Sequence, residues 1–142
     1  MSLVRFGVSL EKDLLEKFDK LIEQKNYTNR SEAFRDLIRQ ELVKKEWEAG
    51  EEVAGTITII YDHHQRELVT KLMDIQHEHG KNIISTQHIH LDHHNCMEIV
   101  AVRGSAKEAQ KLADTLKAVR GVKHATLGMS STGKHKIGRA HV

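Results

Sequence analysis

The chain has 142 residues, of which 39% are hydrophobic and 30% charged, and its formal net charge at pH 7 is +2. This length allows one ordinary domain or two small ones. So small a charge gives no bulk electrostatic reason to expect nucleic-acid binding, and a single cysteine excludes an internal disulfide. No apolar run reaches membrane-spanning length and no signal-peptide pattern is present, so we expect a cytoplasmic protein without a membrane partner.

Residues 3–10 alternate between apolar side chains and small or polar ones, which predicts a half-buried strand. No second strand follows nearby, and an unpaired strand would leave its backbone groups unsatisfied. We therefore predict that two copies of the chain pair this segment into an antiparallel ribbon, which makes the domain an obligate dimer. The outward face of the ribbon carries Arg5, Gly7 and Ser9.

A two-stranded ribbon fits the major groove of DNA, where arginine can read guanine and serine can read several base edges. Gly7 offers no side chain to a base edge, so this position contributes no side-chain contact to the choice of DNA sequence. The alternative is that the ribbon serves only dimerisation and that Arg5 is a solvated surface charge.

Two helices are predicted after this strand, over about residues 11–25 and from about residue 30 to Trp47. Asn29 is expected to cap the second helix, with Glu32 three residues later to complete a capping box. The apolar side chains at helical spacing are Leu14, Leu15, Phe18, Leu21 and Ile22 in the first helix and Ala33, Phe34, Leu37, Ile38 and Leu42 in the second.

The strand, the two helices and the turn Asn29-Arg30-Ser31-Glu32-Ala33 resemble the ribbon-helix-helix group of DNA-binding domains. This resemblance implies that the start of the second helix grips a phosphate through backbone amides near Arg30 and Ser31. It also implies that the partner is double-stranded operator DNA.

An acidic, glycine-containing segment near residue 50 predicts a boundary between a first domain, residues 1–50, and a second, residues 51–132. Residues 133–142 are predicted to be a flexible tail. The second domain is expected to contain strand, helix, two strands, helix and strand, over residues 54–61, 66–80, 83–91, 96–102, 105–119 and 122–129. This βαββαβ order is the ferredoxin-like pattern, so the predicted fold class is α+β.

The segment 87–96 holds four of the eleven histidines and the only cysteine. On a strand, His88 and His90 lie on the same face, about 6.6 Å apart. A turn over residues 92–95 would bring Cys96 back beside them. Two imidazoles and a thiolate suit nickel, copper, cobalt or zinc better than magnesium or calcium. The alternative is a histidine-rich hairpin that is exposed to water and binds no metal.

The two domains and this histidine and cysteine pattern strongly resemble the NikR family of nickel-responsive regulators, from residue 3 to about residue 132. The resemblance implies an ACT-like metal domain that assembles a homotetramer, a dimer of dimers with a DNA-binding dimer at each end. It implies a repressor of nickel-uptake genes that binds a palindromic operator when Ni(II) is bound, without enzymatic activity or a small-molecule substrate. Its most specific parts, besides the turn at residues 29–33, are Gln76-His77, His88-Ile89-His90, Asn95-Cys96-Met97-Glu98 and Arg120-Gly121-Val122-Lys123-His124.

The resemblance implies one Ni(II) per subunit. In the helix predicted over residues 66–80, spacing leaves His77 and His79 equally near the packed face. The resemblance alone therefore selects His77 as the fourth nickel ligand. Three imidazoles and a thiolate in a plane suit Ni(II) or Cu(II), whereas zinc prefers a tetrahedron. The implied ligands are His88, His90 and Cys96 of one subunit and His77 of a neighbouring subunit. The side chains expected to support them are Tyr61 and Glu98.

Several polar groups allow two interpretations. Glu32 and Asp36 resemble family positions near an accessory cation, yet they also suit a helix cap and a solvated face.

Three other functions stay open: a metalloenzyme, a metal-storage or delivery protein, and a ribbon-helix-helix regulator that senses another metal or a small molecule. The loop histidines expected to be solvated, or to bind metal only weakly, are His63, His64, His93 and His94.

Overall fold

The computed structural model describes residues 2–134. The chain divides into two units, the first ending at Leu42 and the second beginning at Val43. Most of the predicted tail, from residue 135 onward, lies outside the described residues, and so do His135 and His141. Within the described range, none of the helices combines the length and the apolar character needed to cross a bilayer.

Two helices follow the N-terminal segment: α1, Lys12–Gln24, and α2, Arg30–Glu48, which continues into the second unit. Asn29 caps α2 as predicted, because its side-chain oxygen accepts the Glu32 N–H at 2.9 Å. The predicted capping box is incomplete. The Glu32 carboxylate accepts the N–H of Thr28 at 3.4 Å instead of that of Asn29, one residue further back along the chain.

The predicted strand at residues 3–10 is not formed in the single chain. Residues 2–10 are exposed and belong to neither a strand nor a helix, with Val4 85% and Phe6 74% exposed. The physical reason is that a strand needs a hydrogen-bonded partner, which one copy of the chain does not supply here. The predicted burial along α2 is also incomplete, since Ala33 is buried but Leu37, Ile38 and Leu42 are exposed.

The second unit contains a four-stranded antiparallel sheet with the strand order β2-β3-β1-β4. This is the predicted βαββαβ arrangement. A short 3₁₀ turn, Gly80–Asn82, separates α3 from β2, so the helix ends slightly earlier than predicted. The elements are β1 Glu52–Asp62, α3 Arg66–Glu78, β2 Ile83–His90, β3 Asn95–Ser105, α4 Ala106–Lys117 and β4 His124–Ser130.

One face of the sheet packs against α3 and α4 and forms the core. Alternate residues of the two central strands point into it, because successive side chains of a strand point to opposite faces. The end of α2 joins this core through Trp47, whose indole N–H donates to the Ser130 carbonyl at 2.9 Å. The core residues include Val53, Ile57, Ile59, Tyr61, Val100 and Val102 of the sheet and Leu68, Leu72, Ile75, Leu112 and Leu116 of the helices.

Gly55 allows β1 and β4 to approach closely beneath Trp47. A Cβ at Gly55 would lie 2.7 Å from the Gly128 carbonyl oxygen and 3.2 Å from the Trp47 ring. We expect Gly55→Ala to lower the free energy of unfolding by about 1–3 kcal/mol, because a backbone carbonyl in a sheet cannot move aside cheaply. Chemical denaturation measures this loss. Gly80→Ala is the matched control, since its Cβ would meet nothing within 4 Å; equal losses in both variants would contradict the expectation.

Candidate metal centre

Strands β2 and β3 pair at one edge of the sheet, and their register gathers the residues predicted to bind metal. His90 lies directly opposite Cys96, and His88 lies directly opposite Glu98. Opposed residues of an antiparallel pair share a face. Cys96 and Glu98 are both buried on the helix-covered side. The three predicted ligands of one subunit therefore lie on the same face, at the same end of the hairpin.

Glu98 is buried behind His88 and is the centre of a hydrogen-bond network. One of its carboxylate oxygens accepts from the Tyr61 hydroxyl at 2.9 Å and lies 3.1 Å from the Nδ1 of His88. The Gln76 amide of α3 donates to the other oxygen, and the Thr86 hydroxyl donates to the Gln76 carbonyl at 3.2 Å. A carboxylate at Nδ1 fixes an imidazole ring and leaves its Nε2 free to bind a metal.

On β1, Tyr61 lies opposite Cys96 of β3, and Tyr61 is only 2% exposed. Burial raises the pKa of Tyr61 well above its ordinary value, and the neighbouring Glu98 carboxylate and Cys96 thiol raise it further. The phenol therefore stays protonated at physiological pH. Tyr61 is a hydrogen-bond donor that supports Glu98.

His77 and His79 differ in their surroundings at the end of α3. The ring of His79 is half-buried, and its Nδ1 lies 2.9 Å from the Ile75 carbonyl oxygen of its own helix, within hydrogen-bonding distance. His77 occupies the last turn of α3 and is exposed. One ring nitrogen of His79 is thus engaged within its own helix.

The predicted ligands do not close around one point within a single chain. His88 faces Glu98, and the ring of His90 meets the ring of His63 edge-on, with 4.9 Å between centroids. The Cys96 sulfur lies 3.8 Å from the Met97 carbonyl oxygen. Among residues 2–134, the predicted ligands are not brought within 4.8 Å of one another as a group of three.

A different group does converge, at loop histidines that were expected to be solvated or to bind metal only weakly. Ligand atoms of Asp62, His64 and His94 all lie within 4.8 Å of one another. Asp62 is absent from the predicted residues. Asp62 joins this group because of the register of β1 and β3. That register pairs Asp62 with Asn95 and so sets the loop after β1 beside the β2–β3 turn. That register is a long-range property that the local sequence pattern does not contain.

The residues predicted to contact DNA belong to the first unit. Arg5, Gly7 and Ser9 are exposed, at alternate positions of the N-terminal segment. The Arg30 side chain is held by Asp19 through two hydrogen bonds of 2.9 Å, and these bonds lower the pKa of Asp19.

The start of α2 offers backbone amides to an anion. The N–H groups of Arg30 and Ser31 find no acceptor within residues 2–134. Free amides at a helix N-terminus are a suitable cradle for phosphate. The nearby carboxylates predicted to hold an accessory cation already have partners, since Glu32 accepts from Thr28 and Asp36 accepts from Tyr27 and Gln40.

The Tyr61–Glu98 hydrogen bond should stabilise the hairpin on which the predicted ligands lie. We expect Tyr61→Phe to cost about 1.5–3 kcal/mol in unfolding free energy, because it removes one donor from a buried carboxylate. A double-mutant cycle with Glu98→Gln measures the coupling by chemical denaturation. The double variant should lose less than the sum of the two single variants. Strict additivity would show that the two side chains do not cooperate.

Family models match two parts of this chain. The NikR C terminal nickel binding domain matches residues 54–130, and the ribbon-helix-helix protein, copG family, matches residues 4–45. At the level of fold alone, the chain is similar to an uncharacterized protein from Thermotoga maritima, with a TM-score of 0.51 and 11% identity. That likeness covers 56% of this chain and 98% of the other.

Three relatives, each provisionally named a nickel-responsive regulator, resemble nearly the whole chain. The one from Syntrophus aciditrophicus is 61% identical and the alignment covers 93% of this chain and 96% of that protein. The relative from Pyrococcus furiosus is 55% identical, and the alignment covers 94% of this chain and 98% of that protein. The relative from Chlorobium limicola is 57% identical, and the alignment covers 92% of this chain and 98% of that protein. The chain therefore belongs to the family of nickel-responsive transcriptional regulators, which join a ribbon-helix-helix DNA-binding domain to a NikR nickel-binding domain.

Proposed function

We propose that each subunit binds one Ni(II) and that the metal-bound homotetramer represses nickel-uptake genes in the cytoplasm by binding a palindromic double-stranded operator. The observation that carries the proposal is the β2–β3 register, which sets the predicted ligands on one face beside the buried Glu98. The ligands we propose are His88, His90 and Cys96 of one subunit and His77 of a neighbouring subunit.

The donor set supports a tetragonal ion. Three imidazoles and a thiolate are the borderline and soft donors that Ni(II) and Cu(II) accept in a plane. The buried Glu98 supports the assignment of His88 as a ligand. Its carboxylate lies at the Nδ1 of His88 and leaves the Nε2 atom as the donor to the metal. When bound, the metal ties donors of two subunits together, and the chain supplies the orientation of those donors.

The position of β2 supports a ligand from a neighbouring subunit. In the order β2-β3-β1-β4, β2 is an edge strand, so His88 and His90 lie at an open side of the sheet. An edge strand presents unpaired backbone groups and can receive another chain. His77 is exposed on α3 and, within the described chain, belongs to no cluster with these residues. Its approach from another subunit would complete the donor set.

The first unit supports a dimer built through its N-terminal segment. That segment leaves the apolar side chains Val4 and Phe6 largely exposed. Pairing two copies would satisfy the backbone of residues 3–10 and cover these side chains. The resulting ribbon would present Arg5, Gly7 and Ser9 to the major groove, with the amides of Arg30 and Ser31 against a phosphate.

Metal binding and DNA binding would then be linked. A metal that joins two subunits favours one arrangement of the two ribbon dimers, and the second half-site contact becomes effectively intramolecular. Linkage of this kind is reciprocal, so operator DNA must tighten metal binding by the same factor by which the metal tightens DNA binding.

Nickel titration tests the central site. Ni(II) added to the wild-type protein should give a near-ultraviolet thiolate-to-nickel charge-transfer band that saturates at one ion per chain. Cys96→Ala should abolish this band. His77→Ala should weaken nickel binding by more than about a hundredfold, which exceeds the usual effect of losing only a supporting group. His79→Ala is the matched control and should bind normally. A featureless titration, or a band that survives Cys96→Ala, would rule out this ligand set.

Operator binding tests the DNA-contacting ribbon. We expect Arg5→Ala to weaken nickel-dependent binding to a selected operator by about 1–3 kcal/mol, the usual value of an arginine contact to a base. Nickel affinity without DNA should stay unchanged. Arg66→Ala, an exposed arginine of the metal domain, is the control. Gel-shift titrations with and without Ni(II) measure the effect. If Arg5→Ala and Arg66→Ala bind DNA alike, the ribbon is only a dimerisation device.

A further inference from the structure

An ion pair between Asp19 of α1 and Arg30 of α2 joins the two helices of the first unit. The Nε and Nη2 groups of Arg30 donate to the two carboxylate oxygens of Asp19, each at 2.9 Å. This two-pronged geometry is the strong form of an arginine–carboxylate contact. The bonds lower the pKa of Asp19 and raise the pKa of Arg30, so both groups are charged at neutral pH. The positive charge of Arg30 is therefore matched by a negative charge directly beside it.

The pair borders the phosphate cradle, which consists of the free backbone amides of Arg30 and Ser31. Arg30 is the first residue of α2, and its N–H finds no acceptor among residues 2–134. Asp19 is held by the side chain of that same residue, so its carboxylate lies within the length of one arginine side chain of the cradle. A carboxylate so close to a phosphate repels it, and a guanidinium bound to a carboxylate attracts the phosphate less strongly. The cradle therefore gains no net charge from Arg30.

The pair is too exposed for stability to be its main effect. The side chain of Arg30 is 57% exposed and that of Asp19 is 43% exposed. Exposed ion pairs contribute little to the free energy of unfolding, because water and salt screen the charges. Contact between α1 and α2 has an apolar source as well, since the ring centroids of Phe18 and Phe34 are 5.0 Å apart. The principal effect of Asp19 is thus on the charge beside the cradle.

The first fifty residues have no surplus charge with which to hold DNA. They contain ten lysines and arginines and ten aspartates and glutamates, so their formal net charge is zero. Sequence-independent binding to DNA comes almost entirely from phosphates that cationic side chains neutralise. In a domain so closely balanced, the release of a single cation beside a phosphate would change this binding appreciably.

We infer that Asp19 restrains sequence-independent DNA binding by holding Arg30 and neutralising it beside the phosphate cradle. A metal-free protein that places one ribbon on DNA would then bind weakly, and firm binding would need the second half-site contact that the metal makes possible. The inference rests on the proposed function, because it requires that the start of α2 meets a phosphate. It adds a residue whose role is to weaken DNA binding rather than to strengthen it.

The test measures how the full chain binds a labelled duplex of random sequence, without nickel, by fluorescence anisotropy at several salt concentrations. Asp19→Asn removes the charge and keeps the shape of the side chain. It should bind about three- to tenfold more tightly at about 0.1 M salt, and the slope of log K against log salt should steepen by about one. Asp74→Asn removes an equal charge from an exposed position of α3 and should bind as wild type does.

A double variant shows whether Arg30 is neutralised or is itself a phosphate contact. Asp19→Asn combined with Arg30→Gln replaces the pair with two neutral amides. If the pair is neutral toward DNA, the double variant should bind the random duplex as tightly as wild type does. If Asp19 instead positions Arg30 against a phosphate, Asp19→Asn and the double variant should both bind more weakly than wild type, and the inference is overturned. Thermal denaturation followed by circular dichroism confirms that each variant is folded.

The outcomes also separate this inference from the proposed function. Equal gains in Asp19→Asn and Asp74→Asn overturn the inference, because net charge alone would then explain them. An unchanged affinity in Asp19→Asn overturns it too, while nickel-dependent selection of an operator by wild type would leave the proposed function standing. If wild type selects no operator with nickel, yet Asp19→Asn alone tightens binding to the random duplex, the restraint stands and the proposed function fails.

Discussion

The antiparallel pairing of β2 with β3 is the interaction on which the metal domain depends. Strand register is a discrete property, and a slip of one residue would move every side chain of β2 to the opposite face. In the observed register His90 meets Cys96 and His88 meets the buried Glu98. Burial of a polar side chain such as that of Glu98 is costly unless its oxygens are hydrogen-bonded. Tyr61 and Gln76 provide those bonds, so one set of contacts both stabilises the hairpin and orients an imidazole.

The chain leaves open surfaces in both of its units. In the first unit, the N-terminal segment has apolar side chains and backbone groups without a paired strand. In the second, the edge strand β2 presents His88 and His90 at an open side of the sheet. Each surface is of the kind that another copy of the chain would cover, and each lies among residues for which we propose a function. Assembly and function would then depend on the same residues.

Much of the fold could be predicted from the sequence because it follows from local periodicity. Alternation marks the strands, helical spacing marks the helices, and Asn29 marks a helix start that the structure confirms. Predictions could not be made, or stay predictions, where the outcome depends on distant residues or on another chain. The strand predicted at residues 3–10 would form only with a second copy of the chain, and the approach of Asp62 to His94 requires a register set by the whole sheet. No local pattern separates His77 from His79; the structure shows only that His79 is engaged with its own helix.

The proposed donor set bears on regulation, because it includes a buried thiol and would draw one imidazole from another subunit, so its occupation would depend on assembly. A ligand can shift a conformational equilibrium only by its differential affinity for the two states. A donor set shared between subunits has such a difference, because it exists only in one arrangement of the subunits.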